Sequence, residues 1–144
     1  QKYRSHIFAY FGRLLRQVRL VDLLTLEERF ESVLSEEATA DVAWIDLLVS
    51  GKPRNLPATP EVWIAVEVSA TIDCHDVERV YRRAALLERL GVPVVPAVAG
   101  EKVALNAHAH DQLHKSVFVL KNGHVEGWES ALDLAISRAS HRKS

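Results

Sequence analysis

The chain has 144 residues, 48% of them hydrophobic and 26% charged, enough to bury one ordinary core, so a single domain over residues 1–144 is expected. Lysine and arginine total 18 against 19 acidic residues; the net charge of -1 excludes a globally basic nucleic-acid binder and leaves any phosphate contact to a local patch. The single cysteine, Cys74, excludes an internal disulfide, and no apolar run is long enough to span a bilayer, so a cytoplasmic protein without membrane association is expected.

From Tyr3 to Val18, the residues Ile7, Phe11, Leu14, Leu15 and Val18 recur at helical spacing while Lys2, Arg13 and Arg16 fall largely off that stripe, which predicts an amphipathic helix. A short strand overlaps its end, from Arg16 to Leu23, where apolar and polar residues alternate loosely. Thr25 followed three residues later by Glu28 has the pattern of a capping box, and Leu26, Phe30, Val33 and Leu34 carry a second helix to near Glu36.

Val42 to Val49 is an apolar run interrupted by Asp46 and reads as a strand; Ser50-Gly51, with Pro53, Pro57 and Pro60 beyond, reads as an irregular connection. Glu61 to Val68 is the next strand, and runs this apolar imply a sheet covered on both faces. Asp73 is placed to cap a long helix that ends at Gly91, with Asp76 in its first turn and Val77, Val80, Tyr81, Ala84 and Leu87 toward the sheet. Val92 to Val98 is a strand whose Pro93 and Pro96 favour an edge position. Val117 to Leu120 and His124 to Trp128, joined by Lys121-Asn122-Gly123, form a hairpin, and Glu129 to Ala139 a closing helix.

Side chains alternate along a strand, so Val42, Trp44, Asp46 and Leu48 share one face, as do Trp63, Ala65, Glu67 and Ser69 on the next strand. Asp46 and Glu67 can therefore face the same way. An ionised carboxylate withdrawn from water costs several kcal/mol without a partner, so a cation or a basic side chain is required beside them. A Mg²⁺ or Mn²⁺ ion would take oxygen ligands from such a pair and serve phosphodiester hydrolysis; the competing reading is an ordinary ion pair with an arginine of the helix that follows. Asp41 is five residues from Asp46, and that odd separation puts it on the other face of a continuous strand.

The order helix, strand, strand with Asp46, strand with Glu67, helix, strand resembles the PD-(D/E)XK nuclease superfamily. The stretches Tyr10-Phe11-Gly12-Arg13, Trp44 to Gly51, Val66-Glu67-Val68-Ser69 and Asp76 to Ala84 resemble an uncharacterised prokaryotic family in which such a domain follows a coiled coil. The resemblance implies an α/β, restriction-endonuclease-like three-layer fold, with a mixed central sheet flanked by helices. It further implies a metal-dependent nuclease: Asp46 and Glu67 as Mg²⁺ or Mn²⁺ ligands, the Val68 carbonyl as a third, and Ser69 where a lysine is expected. Arg79 is the preferred replacement for that lysine, three residues before Arg82 on one helix face.

Arg13, Arg16, Arg82 and Arg83 are candidates for a nucleic-acid-binding surface. The alternative function is a catalytically inactive module of the same fold that binds nucleic acid or a protein partner. The start at Gln1 and the lack of methionine read as the C-terminal part of a longer chain, which a coiled coil upstream would make a homodimer. His108, His110 and His114 have the spacing of a zinc cluster and Cys74-His75 the residue types of a nucleophilic pair, but solvated or capping histidines and an inert thiol are the favoured readings.

Overall fold

In the computed structural model, which describes residues 2–106 and 115–143, the apolar runs lie in the middle of a mixed six-stranded sheet. The elements in chain order are α1 (Lys2–Ser5), α2 (Ile7–Phe11), β1 (Leu15–Leu20), a 3-10 turn (Leu23–Leu26), α3 (Glu27–Val33), α4 (Glu36–Val42), β2 (Leu47–Pro53) and β3 (Val62–Val68). They continue with β4 (Thr71–Asp73), α5 (Cys74–Glu88), β5 (Val94–Gly100), β6 (Lys102–Ala104), β7 (Phe118–Lys121), β8 (His124–Glu126) and a last helix, here α6 (Trp128–Lys143). The sheet order is β1-β2-β3-β5-β7-β8, and β4 and β6 form a separate parallel pair. Pairing is parallel for β3 with β5 and β5 with β7, and antiparallel for β1 with β2, β2 with β3 and β7 with β8.

The chain is thus α/β with a mixed sheet, and each sheet face has its own core. On one face Leu48, Ala65, Val94 and Val98 pack against Val77, Val80, Ala84 and Leu87 of α5 and Phe30 of α3. On the other, Val49, Ile64, Val66, Ala97 and Phe118 meet Tyr3, Phe11, Trp128 and Leu132. Burial on both faces explains why β2, β3 and β5 read as continuous apolar runs. Among the described residues no helix is long and apolar enough to cross a membrane.

Several boundaries differ from the sequence-based expectation. The helix expected over Tyr3–Val18 is two short helices interrupted at His6, and β1 already begins at Leu15. Gln17 adopts a positive φ of 54° in β1 where the register with β2 shifts, so its irregular alternation reflects a bulge. The strand stops at Leu20 because Asp22 caps the 3-10 turn, accepting from Leu24 N at 3.0 Å. Thr25 does not act as the expected cap; its hydroxyl donates backward to the Asp22 carbonyl at 2.6 Å. Ser35 instead caps α4, accepting from Ala38 N at 3.1 Å, and that helix takes Val42 out of the expected strand.

β2 therefore starts later, at Leu47, and runs through Ser50-Gly51. Gly51 suits this close crossing, since a Cβ there would come within 2.7 Å of the Leu15 Cβ. The strand carrying Pro93 and Pro96 is central rather than an edge. Pro93 O and Ala99 O bond to β3, so the nitrogen of Pro96 is directed to the opposite side, and the β7 ladder begins only at Ala97. The missing N–H thus breaks no rung. The Asp73 cap and the Asn122-Gly123 hairpin turn, with φ of 49° and 81°, form as the sequence indicates, and Asp76 completes a reciprocal capping box with Asp73. His108, His110 and His114 lie outside the described residues.

Candidate functional site

Leu47 stands opposite Val66 in the antiparallel ladder, so Asp46, in the bend just before β2, sits at the point where the chain leaves the partner of Glu67. Asp46 Oδ2 accepts from the Val68 N–H at 2.8 Å, which anchors the half-buried aspartate to the end of β3. The Arg4 guanidinium donates to the Asp46 carbonyl at 2.6 Å. Glu67 is 4% exposed and faces α5 and α4. The two carboxylates are neighbours on one sheet face. Trp44, expected beside them, precedes the strand in a turn and is 76% exposed.

Arg83 reaches Glu67 from α5, its Nη1 hydrogen-bonded to Glu67 Oε1. The same guanidinium donates through Nε to Asp41 Oδ1 at 3.1 Å, and Arg82 grips Asp41 from outside at 2.8 and 3.0 Å. Burial pushes the Glu67 carboxyl up to about 7; the Arg83 guanidinium opposes that rise and the adjoining Asp46 carboxyl adds to it. Asp41 goes the other way, held below the usual carboxylate range by its hydrogen bonds from Arg82 and Arg83. Arg82, Arg83 and Arg4, whose guanidinium lies on the Asp46 carbonyl, stand around the three acids Asp41, Glu67 and Asp46, and the Asp46 and Glu67 carboxyls adjoin.

Ser69 Oγ donates to the Thr71 carbonyl at 2.8 Å and so closes the turn from β3 to β4. Arg79 is bound to Asp76 Oδ1 at 2.5 Å, in the same turn as the capping box, and is not on Glu67. Val68 meets Asp46 through its amide N–H. Arg13 donates to the Gly123 carbonyl in the β7–β8 turn, and Arg16 stands opposite Lys52 in the β1–β2 ladder. Arg82 and Arg83 are engaged by Asp41 and Glu67, so the four arginines expected to form one phosphate-binding surface are not brought together.

Sequence reasoning passed over two members of the cluster. Asp41 was set aside by strand parity, but it lies on α4, so parity does not apply to it. Arg83 was taken for a surface residue, although it falls four residues before Leu87 and three after Val80, on the stripe that faces the sheet. That spacing was the available signal.

A hard divalent ion can be held by one or two carboxylates completed by water, and the adjoining Asp46 and Glu67 carboxyls suit such an ion. Among the described residues no third histidine, cysteine, aspartate or glutamate joins the pair in a metal-holding group, so any such ion would be held by Asp46 and Glu67 with water and backbone oxygen. The donor set fits Mg²⁺ or Mn²⁺ better than zinc, which favours nitrogen and sulfur ligands. No protein-family model, curated protein or solved structure matches this chain.

Proposed function

We propose that the chain is a metal-dependent nuclease of restriction-endonuclease-like fold, with Asp46 and Glu67 holding Mg²⁺ or Mn²⁺ for phosphodiester hydrolysis. The observation that carries this reading is the adjoining pair of carboxyls, Asp46 and Glu67, at the end of β3. A bound ion would supply Lewis-acid stabilisation and an activated water. Arg83 fixes the orientation of Glu67 and adds positive charge beside a phosphate; always protonated, it acts as a charge and not as a proton acceptor. Asp41 in turn fixes Arg83.

Cleavage of DNA and RNA with Mg²⁺ or Mn²⁺, compared between wild type, Asp46→Ala and Glu67→Ala, tests the assignment. Each substitution is expected to lower the rate by about 100-fold or more, several kcal/mol of transition-state stabilisation. Cleavage that continues unchanged in both variants would sink it. The Arg83 contact to Glu67 and the commitment of Ser69 to Thr71 favour a second reading, a non-catalytic module of the same fold that binds nucleic acid or a protein partner. Calorimetry showing no divalent-ion binding, together with nucleic-acid binding that survives loss of both acids, selects that one.

A further inference from the structure

The edge strand β1 carries an arrangement that simple alternation would not produce. Arg16 and Arg19 are three residues apart, a spacing that puts side chains on opposite faces of a regular strand. The bulge at Gln17, with its positive φ of 54°, absorbs the odd residue: Arg16 pairs with Lys52 and Arg19 with Ser50, so both arginines share the sheet face of those two β2 residues. The apolar residues of β1 agree with this shift, since Leu15, Val18 and Leu20 all pack into the core of the opposite face. Three exposed cations, Arg16, Arg19 and Lys52, are thereby gathered on one side of the β1–β2 pair.

A cavity of about 370 Å³ opens beside them, lined by Gln17, Arg19, Gly51, Lys52 and Glu61. Glu61, the one acid of that lining, is bonded to Arg19 at 3.1 Å. Arg16 and Lys52 make no hydrogen bond or ion pair with a described residue. Like charges directly opposite each other in a ladder destabilise it, and no acid of the described residues lies on either of these two to offset that repulsion. With Glu61 set against the three cations, this corner keeps a surplus of two positive charges on a chain whose net charge is -1. Lys52 stands five residues along β2 from Leu47, roughly 17 Å, so the corner is separate from the Asp46 and Glu67 pair.

We propose that this corner binds a phosphate group, with Arg16 and Lys52 as its cationic pair and Arg19 at its border. A phosphate dianion matches the surplus of two charges, and its oxygens can accept from a guanidinium and an ammonium at once. An anion between Arg16 and Lys52 also removes the repulsion that the ladder imposes on them. The cavity has the volume of a small-molecule pocket, so the phosphate is either the free ion or an ester of a small molecule. This site does not depend on the nuclease reading.

Isothermal titration of the chain with inorganic phosphate at pH 8 and low salt tests the site. A dissociation constant of about 1 mM is expected from two charge-assisted contacts at an exposed position. Arg16→Ala and Lys52→Ala are each expected to weaken binding by roughly 10-fold, and Glu61→Gln to tighten it by removing the carboxylate that repels the anion. Arg16 and Lys52 are exposed, and an unchanged circular-dichroism spectrum in each variant shows that the fold is kept. Phosphate is also expected to raise the wild-type melting temperature above that in chloride of equal ionic strength, because it binds the folded chain alone. Glycerol 3-phosphate binding more tightly than inorganic phosphate assigns the ester as the ligand; equal or weaker binding assigns the free ion. No phosphate binding at about 10 mM, an affinity that equals wild type in both alanine variants, or acetate binding as tightly as phosphate overturns the site.

Discussion

Two buried glutamates face α5 or belong to it, Glu67 near its first half and Glu88 in its last turn, and each is 4% exposed. At Glu88 two arginines of α6, one helical turn apart, converge on one carboxylate, so the acid is more than compensated. At Glu67 a single guanidinium is divided between two acids, and a third acid, Asp46, adjoins. The first arrangement ties α6 to the end of α5 and has nothing left to bind a cation. The second leaves two carboxyls, Asp46 and Glu67, side by side. Burial alone therefore does not distinguish a structural clasp from a candidate site; the arrangement of the charges around it does.

Removing the cation at each site should separate them most sharply. Arg83→Ala leaves Glu67 buried with no guanidinium and is expected to cost about 3–5 kcal/mol at pH 8, measured by urea denaturation. The cost should shrink at pH 5, where Glu67 carries a proton in the folded state. A loss below about 1 kcal/mol at pH 8 would show that Glu67 does not depend on Arg83.

The pH dependence of wild-type stability should be somewhat smaller in effect. Folded Glu67 keeps its proton up to about 7 while the unfolded chain releases it near 4.5, so the folded state binds more protons between those values. Stability therefore falls as pH rises through that window, by on the order of 3 kcal/mol, and is level above it. Asp41, with its folded value lowered, contributes in the opposite sense, and its stabilisation is lost as pH falls below 3.8. Glu67→Gln should flatten the fall between pH 4.5 and 7 in denaturation curves taken at half-unit steps. A slope that survives the substitution assigns it to another group.

At the opposite end of α5, Arg142→Ala should cost less than about 1 kcal/mol, because Arg138 still answers Glu88 and Arg142 is 37% exposed. A cost approaching that of Arg83→Ala would erase the contrast between the two clusters. The smallest effect is expected at Ser50, whose buried hydroxyl has no hydrogen-bond partner among the described residues. Ser50→Ala should leave stability unchanged or raise it by up to about 1 kcal/mol, since it removes an uncompensated polar atom without opening a large cavity. Thermal denaturation would detect a loss, which would reveal a hydrogen bond at that hydroxyl.

The readable parts of the fold were those whose signal is local and redundant. The Asp73 cap of α5, the apolar β3 and the Asn122-Gly123 turn each depend on residues a few positions apart, and all three appear where the pattern placed them. The stretch from Leu23 to Val42 was misread because Asp22, Thr25 and Ser35 are all plausible caps, and the backbone uses the first and third. That choice moved the start of β2 to Leu47, took Trp44 off the strand and put Asp41 on a helix. Pro96 misled because a proline is excluded only where its missing N–H would have met a neighbour.

By itself the sequence determined that Asp46 and Glu67 are acids set beside apolar strands, whereas the bend before β2 and the Val68 N–H hold Asp46 next to Glu67. The residue that answers Glu67 is partly legible, because Arg83 shares the spacing of Val80 and Leu87; the packing of Val77, Val80, Ala84 and Leu87 on the sheet then brings it to Glu67 and leaves Arg79 with Asp76.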